Sequence, residues 1–446
     1  MLLAGGILLR LLVSLAYRPA LLLQVDAYSY LNQAFGAGPS GYRPALYPLL
    51  LRALLAFGNL AVVPAVQHVL GLSLAGAAYL VLTRLGVGPF VAAAGTAPLL
   101  LDGYQLVIEH YVLAETMFDV LVFAALGLLV WRPRPHPLAV GTAGSLLALA
   151  GLTRFVGLAL IVPALLYVAL NRLGWLRAVA LVVTFGATVG LYSLWFKSFA
   201  GTTGVTDRNG FFLFGRVASF ADCAEVEIPP QQRPLCRVKP STGLFARPGF
   251  FALDIPERLI SAPTANARFL DFSTRMIRAR PFDYVATVGR DFIRFFDPRP
   301  PPFQEPQVAR WRFPRSVSDA RPHPLVRRLA GAPPPALGLG DDFVIDRPLA
   351  PALRAYQGFA YTPGPLLGLL ALLSLTGAAW ERSPLRDRDV RPVSLLFALS
   401  GIALLLTPVL VTVHHFRYVL PSLPLLGSGG AVGVALLLAR LRGSER

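Results

Sequence analysis

The chain has 446 residues, of which 55% are hydrophobic and only 15% charged, and its mean hydropathy is +0.58. A soluble domain carries roughly 25% charge, so the composition excludes one. The net charge of +17 comes almost wholly from Arg, and its spread over short connections between apolar runs argues against a nucleic-acid partner.

Repeated apolar runs near 20 residues read as bilayer-crossing helices, and the short alternating segments of a β-barrel are absent. The expected fold is an all-α polytopic membrane protein with about ten transmembrane helices, near 2–17, 60–83, 87–104, 112–131, 138–152, 155–171, 176–197, 357–380, 392–412 and 419–440. The first run lacks the basic start and the small-residue cleavage site of a signal peptide. At ~1.5 Å per residue it reaches ~24 Å against ~30 Å of hydrocarbon, which leaves open whether residues precede Met1. The runs divide the chain into a transmembrane module (1–197), an outer α-rich domain between the seventh and eighth spans (198–356) and C-terminal transmembrane helices (357–446). Pro64, Gln67 and His68 are expected to face other helices and not lipid.

With the N-terminus inside, the cytoplasmic connections collect Arg84; Arg132 and Arg134; Arg172 and Arg177; Arg382, Arg386, Arg388 and Arg391; and Arg440, Arg442 and Arg446. That is the orientation favoured by basic loops. Arg43, Arg154 and Arg417 then lie on the outer side, against the rule. Each needs a compensating anion, either a ligand at the outer leaflet or a salt bridge to Asp26, Glu109 or Glu115.

Residues 24–51 follow the first run as QVDAYSYLNQAFGAGPSGYRPALYPLLL. Asp26 sits among Tyr28 and Tyr30, a Gly/Pro/Ser turn runs from Gly36 to Gly41, and Tyr42-Arg43-Pro44 and Tyr47-Pro48 close the stretch. Pro44 suits the first position of a helix, where its missing N–H costs nothing. An acid, a basic tip and an amphipathic helix on the membrane suit chemistry at a lipid–water boundary; a solvated loop is the alternative. Further on, Asp102–Asp119 joins the third and fourth runs, with Glu109 and His110 in the connection. Glu115 and Asp119 share a helix face, and Asp119, one turn deeper, needs a partner or water. These carboxylates read as structural partners of Arg or as functional groups beside the acidic first loop. The short turn LTRFVGL carries Arg154.

The outer region opens with FLFGRVASFADC and holds both cysteines, Cys223 and Cys236. Their spacing is too wide for a redox CxxC pair, and on the oxidising side of a membrane a disulfide is the natural reading. A zinc site would need further ligands nearby. Residues 264–280 and 282–296 read as amphipathic helices separated by Pro281, and 298–351 as irregular structure rich in Pro, Gly and Arg. The last outer turn, VTVHHFRYVLPSLP, sets His414, His415, Arg417 and Tyr418 at the mouth of the bundle. The two His suit a metal, with His110 and Glu109, or a polar network.

Taken together these pieces resemble the GT-C membrane glycosyltransferases that use polyprenyl-phosphate sugars, such as the dolichyl-phosphate-mannose protein mannosyltransferases and the bacterial aminoarabinose transferases. The matching residues are Asp26 in DAYSY; Arg43, Pro44, Tyr47 and Pro48; Glu109 and Glu115; Arg154; and Arg417 in HFRYVLPSLP. They span most of 1–200 and 357–440. The resemblance implies transfer of a sugar from a polyprenyl-phosphate donor to a hydroxyl of a glycan, lipid or protein acceptor, by single displacement with inversion. Asp26 would be the general base, with Glu109 and Glu115 as further catalytic-site acids. Tyr30, Arg43, Tyr47, His110, Arg154, His415, Arg417 and Tyr418 would bind substrate. Many members pair two acids in the first loop, whereas Asp26 precedes Ala27. A single carboxylate is a poor cage for a divalent ion, so no cofactor is expected, with metal dependence left open. The implied location is a bacterial inner membrane, with membrane lipids as partners and the active site on the outer face. A lipid-linked-sugar flippase or other polytopic transporter is the alternative. It needs ionisable groups at the bilayer midplane, where Arg10 is the main instance, and the lack of an internal repeat counts against it.

Overall fold

A computed structural model describes all residues except 23, 37, 239–256, 261–263, 300–310, 318–342, 380–384, 386–388 and 444–446. Arg382, Arg386, Arg388 and Arg446 therefore lie outside the described residues, as does most of 298–351.

The chain is a multi-pass helical membrane protein. Its first half runs α1 (Leu2–Ala16), strand β1 (Tyr17–Arg18), α2 (Gln24–Phe35), α3 (Leu46–Leu55), α4 (Val62–Arg84), α5 (Pro89–Leu101), α6 (Gly103–His110), α7 (Glu115–Val130), α8 (Pro137–Thr153), a 3-10 turn (Phe155–Leu160), α9 (Ile161–Leu170) and α10 (Trp175–Ala200). The region that follows α10 holds α11 (Asn209–Val217), α12 (Glu257–Ile260), α13 (Ala265–Ala279), α14 (Pro281–Ile293) and β2 (Val344–Ile345). Then come α15 (Leu349–Phe359), α16 (Gly364–Ala379), α17 (Arg391–Val411), a 3-10 turn (Phe416–Ser422) and α18 (Leu423–Gly443).

Every expected span falls on a helix, but their lengths differ. Among the described residues four helices are long and apolar enough to cross a membrane alone: α4, α10, α17, and α18 with its preceding turn. Two more spans arise if α5 with α6 (bent by 49°) and α15 with α16 (bent by 52°) each count as one. The other expected spans fall on shorter helices, of 15 residues for α1, 16 for α7 and 17 for α8.

The two bends meet. A bent apolar helix exposes backbone groups that hydrocarbon cannot satisfy. Here Asp102 caps α6 by accepting from the amides of Tyr104 (2.8 Å) and Gln105 (3.3 Å), and its other oxygen accepts from the amide of Thr362 (2.7 Å) at the second bend. Gly103 N–H donates to the Ala360 carbonyl at 2.6 Å. Gln357 donates to the carbonyls of Gly103 and Trp311 and accepts from the amide of Phe313. One Asp and one Gln thus join two broken helices to the segment 311–317.

Small residues set how closely α5 and α18 approach. A Cβ on Gly427 would lie 2.4 Å from the Gly95 carbonyl oxygen, and one on Gly95 would lie 2.8 Å from Ala431. Such contacts suit helices associating where lipid supplies no hydrophobic drive. By contrast α10 buries only Leu181, Tyr192 and Phe196, so most of its apolar surface is left for lipid. The region that follows α10 has its own core, in which Phe214 of α11 packs on Phe269 and Phe272 of α13. Cys223 and Cys236 are joined by a disulfide beside it. The pair β1–β2, antiparallel with Tyr17 opposite Ile345, ties the end of α1 to the chain entering α15.

Candidate functional site

Three turns deliver the site. The first turn of α2 carries Asp26. The turn before α3 carries Arg43, shaped by Ser40, whose hydroxyl accepts from the amide of Tyr42 at 3.2 Å and whose amide donates to Gln33 at 3.0 Å. Helix α3 begins at Leu46, two residues after Pro44 and not at it as the proline rule suggested. The turn before α18 carries Arg417, and His415 caps it by accepting from the Arg417 amide at 3.3 Å.

These turns close on one carboxylate. Arg43 donates through Nε (2.9 Å) and Nη2 to Asp26 Oδ1, and Arg417 Nη1 donates to Oδ2 at 2.5 Å. A second pair lies beside it: Arg154, at the end of α8, is ion-paired with Glu115 at the start of α7. Arg417 Nε approaches the same Glu115 oxygen at 3.6 Å, too far for a hydrogen bond. That Nε is buried and has no hydrogen-bond acceptor among the described residues. Tyr418 stands between the two cations, its ring centroid 5.8 Å from the Arg154 guanidinium and 5.9 Å from that of Arg417. The Arg417 guanidinium also lies 5.3 Å from the Trp311 ring centroid, within cation–π range.

Two carboxylates therefore face three guanidinium groups, an excess of one positive charge. Burial pushes the Asp26 carboxyl up, but Arg43 and Arg417 outweigh it and hold the group well below the usual carboxylate range. The Arg43 side chain keeps 27% of its exposure, against 13% for Arg417 and 2% for Glu115, so the site opens on the Arg43 side. Tyr30 is buried beside it, edge-on to Tyr47 at 5.0 Å.

Glu109 and His110 are not at this centre. Both are fully buried in a second network. Arg10 grips Glu109 with two hydrogen bonds (2.7 and 2.8 Å) and donates to the carbonyls of Gly6, Leu99 and Leu100. His68 lies 3.0 Å from Glu109 and 3.1 Å from His110, whose other nitrogen meets the Tyr17 carbonyl at 2.7 Å. Gly71 makes the room, since a Cβ there would sit 2.2 Å from a Glu109 oxygen. Tyr47 also turns this way, its hydroxyl donating to Gln67 at 2.7 Å. The expected site residues Glu109, His110 and Tyr47 lie in this buried network, apart from the Asp26 centre, with their polar atoms engaged there. Arg10 belongs to the same network, a buried cation satisfied by a bidentate partner and three carbonyls.

The proposed gathering of His414 and His415 with His110 and Glu109 does not form either. His414 engages Asp291 through its amide (3.3 Å), while His415 meets the rings of Trp311 and Tyr418. Among the described residues no group of three or more His, Cys, Asp or Glu is arranged to hold a metal ion. Asp291 also accepts from Arg216 (2.5 Å) and Arg294 (3.0 Å). The stretch FLFGRVASFADC thereby gains a role, because Arg216 also donates to the Thr412 carbonyl and braces the turn that carries Arg417.

Asp119 is buried, and neither oxygen has a hydrogen-bond partner among the described residues. Trp311 is the site residue that the sequence reading missed. It lies alone in a Pro- and Arg-rich stretch where no periodicity marks it.

No family model matches the chain, and no curated protein matches it. Solved structures do. The chain is similar to the oligosaccharyltransferase of Archaeoglobus fulgidus, crystallised with a tethered acceptor peptide, at 12% identity and a TM-score of 0.43; all of this chain aligns with 51% of that one. The chain thus spans about half the length of that relative. It is also similar to ArnT of Cupriavidus metallidurans, at 16% identity in both forms. In the apo state the TM-score is 0.35, with 98% of this chain and 76% of that one covered. With bound undecaprenyl phosphate it is 0.36, with 100% and 78% covered.

Proposed function

We propose that the chain is a GT-C-type glycosyltransferase that moves a sugar from a polyprenyl-phosphate donor to an acceptor hydroxyl at the outer face of the membrane. The observation that carries this reading is the Asp26 carboxylate held between Arg43 and Arg417, with Arg417 Nε buried and unfilled. Arg matches phosphate oxygens in planar, bidentate fashion, so the donor phosphate competes with Asp26 for the two guanidinium groups. Its arrival loosens the grip on Asp26 and raises the proton affinity of that carboxylate. The acceptor oxygen then attacks the anomeric carbon, its proton passes to Asp26, and the bond between that carbon and the phosphate oxygen breaks. The electron pair leaves with the polyprenyl phosphate.

Charge supports the same assignment. A phosphodiester donor carries one negative charge, which offsets the excess cation of the site. The leaving phosphate gains a second negative charge as Asp26 is neutralised by its new proton, so the balance holds throughout. Glu115 holds Arg154 in place, and Tyr30 and Tyr418 line the approach. The reading assigns no metal, and it places the chain in a bacterial inner membrane with its N-terminus inside. A flippase loses its main support in Arg10, whose partners are structural.

A transfer assay in membranes with a panel of polyprenyl-phosphate sugars, read by mass spectrometry, tests the proposal. Asp26→Asn keeps the shape and removes the proton acceptor, with an expected loss of about 10²–10⁴ in rate. Glu115→Gln is the comparison, and a larger loss there would move the base to Glu115. An Asp26→Asn protein that inserts normally and transfers at the wild-type rate would refute the assignment.

A further inference from the structure

One buried acid has no part in the chemistry above. Asp119 is 2% exposed, and neither of its oxygens has a hydrogen-bond partner among the described residues. A carboxyl group left unpaired in an interior costs stability, and in membrane helices such groups mark ion or proton sites. Glu109 shows the alternative, an equally buried acid engaged by Arg10 and His68. Asp119 lies four residues after Glu115 on α7, on the same face and about 6 Å further along the helix. Glu115 is the acid that pairs with Arg154 and that Arg417 Nε approaches. Asp119 is therefore one turn away from the charged groups around Asp26.

Helix α7 packs against α4, α6, α8, α18 and the 3-10 turn before α18. The titratable and charged groups they bring to this end of α7 are His68, Glu109, His110, Arg154, Arg417 and Tyr418. Helix α18 carries no ionisable side chain before Arg440. Arg154 attracts an ionised Asp119, whereas Glu115 and Glu109 repel it. With Asp119 neutral, the three guanidinium groups exceed the carboxylates Asp26 and Glu115 by one charge. An ionised Asp119 cancels that excess, and so does a phosphodiester at Arg43 and Arg417. The two anions therefore compete for the same uncompensated charge, and each weakens the other.

We propose that Asp119 is a proton site coupled to the donor site: a singly charged phosphodiester at Arg43 and Arg417 makes Asp119 keep its proton to higher pH, and loss of that proton weakens the hold on the donor. The coupling is reciprocal, as linkage requires. The proton comes from solvent and returns to it when the donor leaves. The inference rests on the donor reading above, in which the phosphate meets Arg43 and Arg417.

The test uses the full chain in detergent, without acceptor. The probe is farnesyl methyl phosphate, a prenyl phosphodiester whose single negative charge does not change with pH in the range used. Calorimetric titrations in buffers of different ionisation enthalpy count the protons taken up on binding. Fully buried carboxyl groups titrate as high as about 8–9, so the range runs from about pH 5 to 10. Wild-type protein should take up a fraction of one proton that peaks within this range. Its affinity should fall as pH rises, by up to about tenfold per pH unit. Asp119→Asn keeps the shape and is neutral at every pH, so it should take up no proton and hold the probe equally well across the range. Binding to wild type with no proton uptake at any pH overturns the inference and leaves the donor reading standing. Uptake that persists unchanged in folded Asp119→Asn assigns the proton to another group and overturns it as well. If that variant does not fold, infrared difference spectra of Asp26→Asn protein decide. A protonated carboxyl band that appears on probe binding supports Asp119, and its absence overturns the inference. A probe that does not bind wild type at all removes the donor reading and this inference together.

Discussion

Two carboxylates that look alike in the sequence have different surroundings. Glu109 is sealed against Arg10 and His68, whereas Asp26 meets Arg43 and Arg417 where the protein opens. Glu109→Gln should therefore act on stability. It leaves Arg10 with a weakened partner in a site that excludes water, and breaking such a pair costs about 3–5 kcal/mol. Thermal unfolding in detergent should show a clear drop, while transfer per folded molecule stays near wild type. A large loss of turnover with an unchanged melting temperature would return Glu109 to the active site. The pH response of Asp26 has a definite sign. Its folded-state proton affinity is depressed, so its contribution to stability is complete above the ordinary carboxylate value of about 4 and declines as pH falls further toward the folded value. Asp26→Asn should remove that part of the acid dependence, so the wild-type and variant melting curves differ most at neutral pH and converge in strong acid.

At the scale of elements, the bundle depends on close approach between backbones. Helices α5 and α18 touch where Gly427 faces the Gly95 carbonyl. A methyl group there has no flexible neighbour to displace, and overpacking of this kind costs about 1–3 kcal/mol. Gly427→Ala should lower the melting temperature. Gly76→Ala, on the open side of α4 with nothing within 4 Å of the added carbon, should leave it unchanged or raise it. Equal effects would remove the helix contact as the cause. The same pair of helices explains the position of the site: α5 leads into the bend at Asp102, and α18 begins from the turn that carries Arg417.

For the whole molecule, the governing question is which side each region faces. The proposed chemistry needs 198–356 and the Asp26 turn on the outer side. A single cysteine introduced as Thr203→Cys should react with a membrane-impermeant maleimide in intact cells, and Arg132→Cys only after permeabilisation. The native cysteines are joined to each other and should stay silent. The reverse labelling pattern would reject the orientation and the outer-face active site with it.

Composition by itself determined the class of this protein. Apolar runs reveal membrane helices because hydrocarbon excludes charge, and each expected run falls on a helix. Asp26, Arg43, Arg154, Glu115 and Arg417 were legible as a candidate cluster because cations at turns expected on the outer side go against the orientation rule and call for compensating charges nearby, and these side chains do come together. Only the tertiary structure decided which acid met which base. Glu109 and Glu115 are six positions apart, yet α6 buries the first against α1 while α7 presents the second to Arg154. The bends of α5–α6 and α15–α16, and Trp311 between them, were also invisible beforehand. They rest on hydrogen bonds that the Asp102 side chain accepts from, and the Gln357 side chain donates to, backbone more than 250 residues away along the chain, and periodicity within one helix carries no trace of such a partner.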